Sequence, residues 1–222
     1  HRDLHSFPTR RSSDLVFVFG IHAAYLQMPY YWDEVGQFIP AAWDIHDSGR
    51  MVPVSATPSV HPPAVMAWVA GFWKVFGEHL VVARCAMLLV GALLLAAAFL
   101  LAVELCGSVP GLPAFFATLA LALSPLVYTQ SLLVQLDLPA AAFTCLALYF
   151  FLSERHWQAV AAASVLVLVK ETGVLLPLTL CVWLAFEKRY RRAAYYLIPA
   201  AVLGVWLLFL HSRTGSWLGN TE

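Results

Sequence analysis

From Leu80 to Leu105 the chain runs for 26 residues with only two charged side chains, Arg84 and Glu104. As a helix this run would reach about 39 Å, more than the roughly 30 Å of a bilayer's hydrocarbon core. Further apolar runs place membrane helices near 16–29, 80–105, 112–132, 137–153, 156–170, 172–186 and 193–211. The whole chain is 61% hydrophobic and 12% charged, with a mean hydropathy of +0.74. Soluble domains carry roughly a quarter charged residues, and small ones bury only about 70% of their surface. Lipid removes that difficulty, and helices satisfy their own backbone groups inside it. The expected fold is therefore all-α: a polytopic transmembrane helix bundle of about seven membrane helices. A net charge of zero gives no electrostatic case for nucleic acid. Cys85, Cys106, Cys145 and Cys181 lie in or beside apolar runs without a CxxC pair, and read as small hydrophobic filler.

Residues 1–15 are polar and basic, unlike the rest of the chain. HSFPTRRSSDL, from His5 to Leu15, looks like the one-frame translation of a sequencing-library adapter, and has no apolar core that would make it a signal peptide. The segment 1–15 is set aside as non-native. The run from Val16 to Met28 would reach only about 20 Å as a helix, short of a full span. SWLGNTE at the other end carries no mark of a finished domain. Residues 16–222 are thus expected to be the N-terminal part of a longer membrane protein, truncated at both ends.

EKRYRR holds Lys188, Arg189, Arg191 and Arg192 in one short loop, the strongest positive-inside signal in the chain. With that loop cytoplasmic, SERH at 153–156 is cytoplasmic too. The loop 30–79, the Asp137 turn and the Lys170–Glu171 turn then face outward. A single helix over 157–180 would instead leave Lys170 and Glu171 at membrane depth. Each would cost roughly 2.5–3.5 kcal/mol there, so a split hairpin is preferred. Within the outer loop, 35–46 places Phe38, Ile39, Ala42, Trp43 and His46 near one face and suggests an interfacial helix. The stretch 64–76 comes after Pro62-Pro63, is rich in aromatics, and suggests a second interfacial or re-entrant helix. Were it to span, Asp33 and Asp137 would fall on opposite sides.

Ionisable residues that are not simple loop charges gather at the outer surface: Asp33, Glu34, Asp137 and Glu171, with Arg84, Lys170 and His61. Each has an ordinary reading of its own. Asp33 and Glu34 can be solvated helix-end carboxylates, Asp137 an N-cap before Pro139, Arg84 a snorkelling side chain, and Lys170–Glu171 a hairpin turn. Together they form a base with a cationic clamp, at the depth where a lipid phosphate would arrive. Asp33, Glu34, His61 and Asp137 could also hold a divalent cation, although no spacing demands one.

In order, YWDE at 31–34, HPPAVMAWVAGFWKVFG at 61–77, VVARCAMLLVGALLL at 81–95, SPLVYTQSLLVQLDLPAAAF at 124–143 and VLVLVKETGVLLPL at 165–178 resemble the glycosyltransferase C superfamily. Within it they are similar to the protein O-mannosyltransferase and aminoarabinose transferase branch. The resemblance covers roughly 30–180. It implies an integral cell-membrane enzyme that transfers a sugar, with inversion, from a polyprenyl-phosphate sugar donor. The acceptor would be a cell-surface lipid, glycan or protein at the outer face. It implies Asp33 as the base, accompanied by Glu34, and Asp137 as a second acidic position lining the cavity. Arg84, Lys170 and His61 would lie near the donor phosphate, with Glu171 beside them. His61 stands where the aminoarabinose branch commonly has Lys, which leaves the acceptor open. Such proteins typically have more than ten membrane helices, so this stretch alone is expected to be inactive. The competing readings are a transporter or channel subunit and a non-catalytic scaffold. A transporter predicts internal repeats and helices broken at the midplane; no repeat is visible, and the ionisable residues sit at a face.

Overall fold

The structure, a computed structural model, describes residues 18–107 and 111–219. The segment 1–15 lies outside them. Every regular element among the described residues is helical. A helical stretch at 18–22 runs into a 3-10 turn, Ala23–Tyr25. After a single π-turn, Glu34–Phe38, come α1 (Ile39–Ser48), α2 (Ala64–Phe76) and α3 (Leu80–Cys106). Next are α4 (Gly111–Ala122), α5 (Pro125–Gln130), α6 (Asp137–Leu152) and α7 (His156–Val169). A 3-10 turn, Glu171–Val174, leads to α8 (Leu175–Phe186), α9 (Tyr190–Tyr195) and α10 (Ile198–Thr214). Two stretches have the length and composition to cross a bilayer unaided, Leu80–Cys106 and Tyr190–Thr214, and shorter apolar helices pack around them. The fold is a polytopic membrane helix bundle.

The predicted hairpin at Lys170 forms. Lys170 is extended (φ −147°, ψ 126°) and ends α7. Ala159 and Val160 of α7 cluster with Leu180 and Leu184 of α8, while Ala162 and Ala163 meet Leu176. Contacts rise along one helix as they fall along the other, so the pair is antiparallel. Its tight turn depends on Gly173. A Cβ there would lie 2.6 Å from Leu166 Cγ, and Leu166 is buried. Gly173→Ala should therefore cost about 1–3 kcal/mol through overpacking. A matching drop in the thermal midpoint of the detergent-solubilised protein would show it.

Two expectations need correction. The single helix over 112–132 is broken. Pro125 forces Ser124 into extended backbone (φ −63°, ψ 125°) and restarts the chain as α5. Residues 131–136 then run without regular structure although 131–134 are all buried. In α1 the inward face is also different. Phe38, Ala41, Ala42 and Ile45 are buried against Val65, Met66, Val69 and Trp73 of α2, whereas Trp43 is exposed. The i, i+3, i+4, i+7 set that fits α2 is thus a phenylalanine, two alanines and an isoleucine. Both short helices pack on the start of α3 and on Val134, Leu136 and Val169. The pair α1–α2 therefore caps the bundle end at which α3 and α6 begin and α7 finishes.

Asp44 holds this cap's outer loop. It is buried, and its carboxylate accepts bonds from Val54 N–H (2.7 Å), Ser55 N–H (2.9 Å) and the Ser55 hydroxyl (2.8 Å). Burial pushes the Asp44 carboxyl up, but the Ser55 and Val54 donors outweigh it and hold it below its ordinary range. A depressed carboxyl contributes stability above the unfolded value of about 4 and loses it as pH falls through the lowered one. Asp44→Asn should thus lower stability at neutral pH and flatten its fall below about pH 4. Unfolding midpoints measured from pH 7 down to pH 3 test this.

Candidate active site

Glu34 and Arg84 organise the capped end. Neither side chain is exposed. Arg84 Nη1 donates to Glu34 Oε1 at 2.5 Å and to Leu132 O at 2.6 Å. Its Nη2 donates to Glu34 Oε2, Met28 O and Pro29 O, each at 3.1 Å. Glu34 Oε1 in turn accepts from Val134 N–H at 2.7 Å, and Oε2 from Tyr31 N–H at 3.3 Å. The guanidinium also lies 5.0 Å from the centre of the Tyr30 ring. Tyr30's hydroxyl finds no partner among the described residues, and burial drives its pKa up to about 12. These bonds fasten three distant stretches: the end of the first helical segment, the start of α3, and the irregular 132–134 strip. They also help explain how that strip is buried without regular structure, because Arg84 satisfies Leu132 O and Glu34 satisfies Val134 N–H, while turn bonds serve Leu132 N–H, Leu133 N–H and Leu133 O.

The sequence pairs Asp33 with Glu34, but the structure separates them. Trp32 adopts a left-handed backbone (φ 55°) and is 80% exposed. Asp33 then enters the π-turn (φ −58°), exposed, while Glu34 turns inward. A bulky residue at positive φ is strained, and strain of this kind together with a π-turn concentrates at functional positions. The result is a solvent-facing carboxylate held on a rigid anchor.

Asp137 begins α6 and is exposed, without capping its own helix. It accepts a 2.5 Å hydrogen bond from Lys170 Nζ. One residue on, Glu171 Oε2 accepts from His61 Nδ1 at 2.9 Å. The His61 bond holds the Glu171 carboxyl below its usual range, against the upward push of burial. Both pairs are part-exposed and stand at the hairpin turn. Glu34's bond to Val134, three residues before Asp137, brings Asp33 to this same end. Of the seven candidate residues, five thus face accessible space here, while Glu34 and Arg84 are spent on each other and on backbone. Arg84 reaches no surface in this arrangement, so it is not a phosphate ligand here but part of the frame. An apolar groove of about 390 Å³ opens beside Glu171 and Thr172, walled by Leu175, Leu203, Leu207 and Trp217. Among the described residues no three His, Cys, Asp or Glu side chains converge as a metal site.

Residues 60–217 match the dolichyl-phosphate-mannose-protein mannosyltransferase family. The chain belongs to this family. No curated protein matches its sequence. Two solved structures share its fold: ArnT from Cupriavidus metallidurans in the apo state (TM-score 0.74) and the same protein bound to undecaprenyl phosphate (TM-score 0.73). Each is 22% identical over 94% of this chain. The chain spans 42% of the length of those structures. Family membership makes the bundle an integral membrane protein of the glycosyltransferase C superfamily. It also agrees with the resemblance over its stretches from 61 to 178.

Proposed function

We propose that this mannosyltransferase family member forms part of an inverting membrane glycosyltransferase that moves a sugar from a polyprenyl phosphate to a cell-surface lipid, glycan or protein. The observation that carries this reading is the meeting, at one bundle end, of an exposed Asp33 with the Asp137–Lys170 and Glu171–His61 pairs. The ArnT structure bound to undecaprenyl phosphate supports the donor class. In the proposed step the Asp33 carboxylate takes the proton of an acceptor hydroxyl. The freed oxygen attacks the anomeric carbon from the face opposite the phosphate. The anomeric carbon–oxygen bond breaks, and polyprenyl phosphate leaves with the electron pair. Lys170 offsets its charge beside His61, while Asp137 and Glu171 hold those two side chains in place. Glu34 and Arg84 act through position alone. The groove beside Glu171 has the apolar lining an isoprenoid needs.

The reaction is assigned to the outer face of the cell membrane because the opposite bundle end carries the EKRYRR loop. A reporter fused after residue 190 should signal from the cytoplasm, and an external signal would reverse the sidedness. For the activity, the intact parent is reconstituted in vesicles with a labelled polyprenyl-phosphate sugar and an envelope extract as acceptor. Transfer of label with release of polyprenyl phosphate is expected. Solute flux without donor turnover would point to a transporter instead. The present chain alone, two-fifths the length of the ArnT structures, is expected to show no turnover.

A further inference from the structure

The bundle end opposite Asp33 carries a second construction of charged side chains. Glu154, in the turn between α6 and α7, accepts from Arg189 Nη1 at 3.1 Å and Arg192 Nη1 at 2.5 Å. The turn is stiffened from inside. Glu154 also meets buried His156 Nε2 at 3.2 Å, and His156 Nδ1 lies 3.0 Å from the hydroxyl of buried Tyr196. Glu154 and Lys188 both sit at φ 57°, and these left-handed residues fold each loop back on its helix end. Lys188 N–H bonds Ala185 O (2.9 Å), and Arg189 N–H bonds Leu184 O (2.8 Å).

The loop from Lys188 to Arg192 lines an open surface concavity of about 520 Å³. Two of its cations are pinned by Glu154, while Lys188 and Arg191 have no ion-pair partner among the described residues. With Arg155, five cations stand at this end against Glu154 and Glu187. Trp157 stacks on Tyr195 (4.5 Å between centroids) and is exposed, as are Phe186 and Tyr190. Exposed Trp and Tyr of this kind mark the headgroup level of a membrane. The cationic concavity is therefore level with lipid phosphates.

We propose that Lys188 and Arg191, on the base fixed by Glu154, Arg189 and Arg192, bind the phosphodiester headgroup of an anionic phospholipid in the leaflet opposite the Asp33 site. No step of the proposed glycosyl transfer uses these side chains; only its assignment to the outer face draws on their loop, so lipid binding and sugar transfer are tested separately.

The full-length parent is placed in nanodiscs of phosphatidylcholine with a minor fraction of spin-labelled phosphatidylglycerol, and the motionally restricted lipid fraction is measured. Each Lys or Arg near a lipid surface is worth about fivefold in binding. The Lys188→Ala/Arg191→Ala pair should thus lower phosphatidylglycerol selectivity about 25-fold at most, toward that of phosphatidylcholine. The Lys188→Arg/Arg191→Lys pair keeps the charge and should stay within about twofold of wild type. Selectivity unchanged in the alanine pair would overturn the proposal. So would displacement of the lipid by inorganic phosphate at equal concentration, which would make this a general anion site. Both residues are exposed, so the circular dichroism of either variant should match wild type.

Discussion

Arg84→Ala should destabilise the protein by about 3–5 kcal/mol, the cost of leaving one member of a buried ion pair without its partner. The structure puts this change at the upper end of that range. Arg84 is fully buried and serves the Glu34 carboxylate and three backbone carbonyls, those of Met28, Pro29 and Leu132. Removing it strands a carboxylate and three acceptors together. Glu34→Ala should cost a comparable amount, since it frees the guanidinium and orphans Val134 N–H. Arg84→Lys should rescue little, because one ammonium cannot reproduce a planar fork reaching four residues. The informative variant is Glu34→Leu with Arg84→Met. Buried ion pairs elsewhere can be replaced by apolar residues at no net cost. Here the backbone groups would stay unpaired, so the double variant should remain unstable. Thermal unfolding of the detergent-solubilised parent reads all four, and full recovery in the double variant would refute the backbone-anchoring role.

This anchor also marks how far the sequence was legible. The membrane helices could be read because their signal is length of apolar run, a local property. The hairpin at Lys170 could be read because the cost of charges at membrane depth is local too. The break at Ser124–Pro125 had a local signal in Pro125 that the apolar run outweighed, but the strip 131–136 could not be read. SLLVQL is as apolar as its neighbours, and what lets it leave the helix lies in Glu34 and Arg84, about a hundred and about fifty residues away. The face of α1 slipped because Trp43 scores as hydrophobic wherever it points, while only packing on α2 decides which set goes inward.

The site was legible as a gathering but not as a division of labour. Asp33 and Glu34 are adjacent acidic letters, and nothing local says that one is buried and the other exposed. The strained turn at Trp32 sorts them. Arg84 has the same form in sequence whether it snorkels, binds phosphate or pairs inside. The His61–Glu171 and Lys170–Asp137 pairings span 110 and 33 residues, beyond the reach of any spacing rule. The family match narrows the chemistry, and the geometry leaves Asp33 exposed while Glu34 is buried.

That freedom makes Asp33→Asn the sharpest functional test. The substitution keeps the size of the side chain and removes its ability to accept a proton. Asp33 is exposed and makes no side-chain bond among the described residues, so stability should change by less than about 0.5 kcal/mol. Glycosyl transfer by the intact parent should fall about 10²- to 10⁴-fold, the contribution of a positioned general base. The loss should appear in kcat at saturating donor rather than in KM, since the carboxylate acts on the acceptor proton as the bond forms. Asp33→Glu should lose activity as well, because about 1 Å of misplacement can cost a hundredfold. Lys170→Ala should behave differently. It removes a cation offered to the leaving phosphate and releases Asp137, so both KM for the donor and kcat should worsen. If Asp33→Asn instead turned over like wild type while Asp137→Asn did not, the base would be Asp137, and the exposed position after Trp32 would need another purpose.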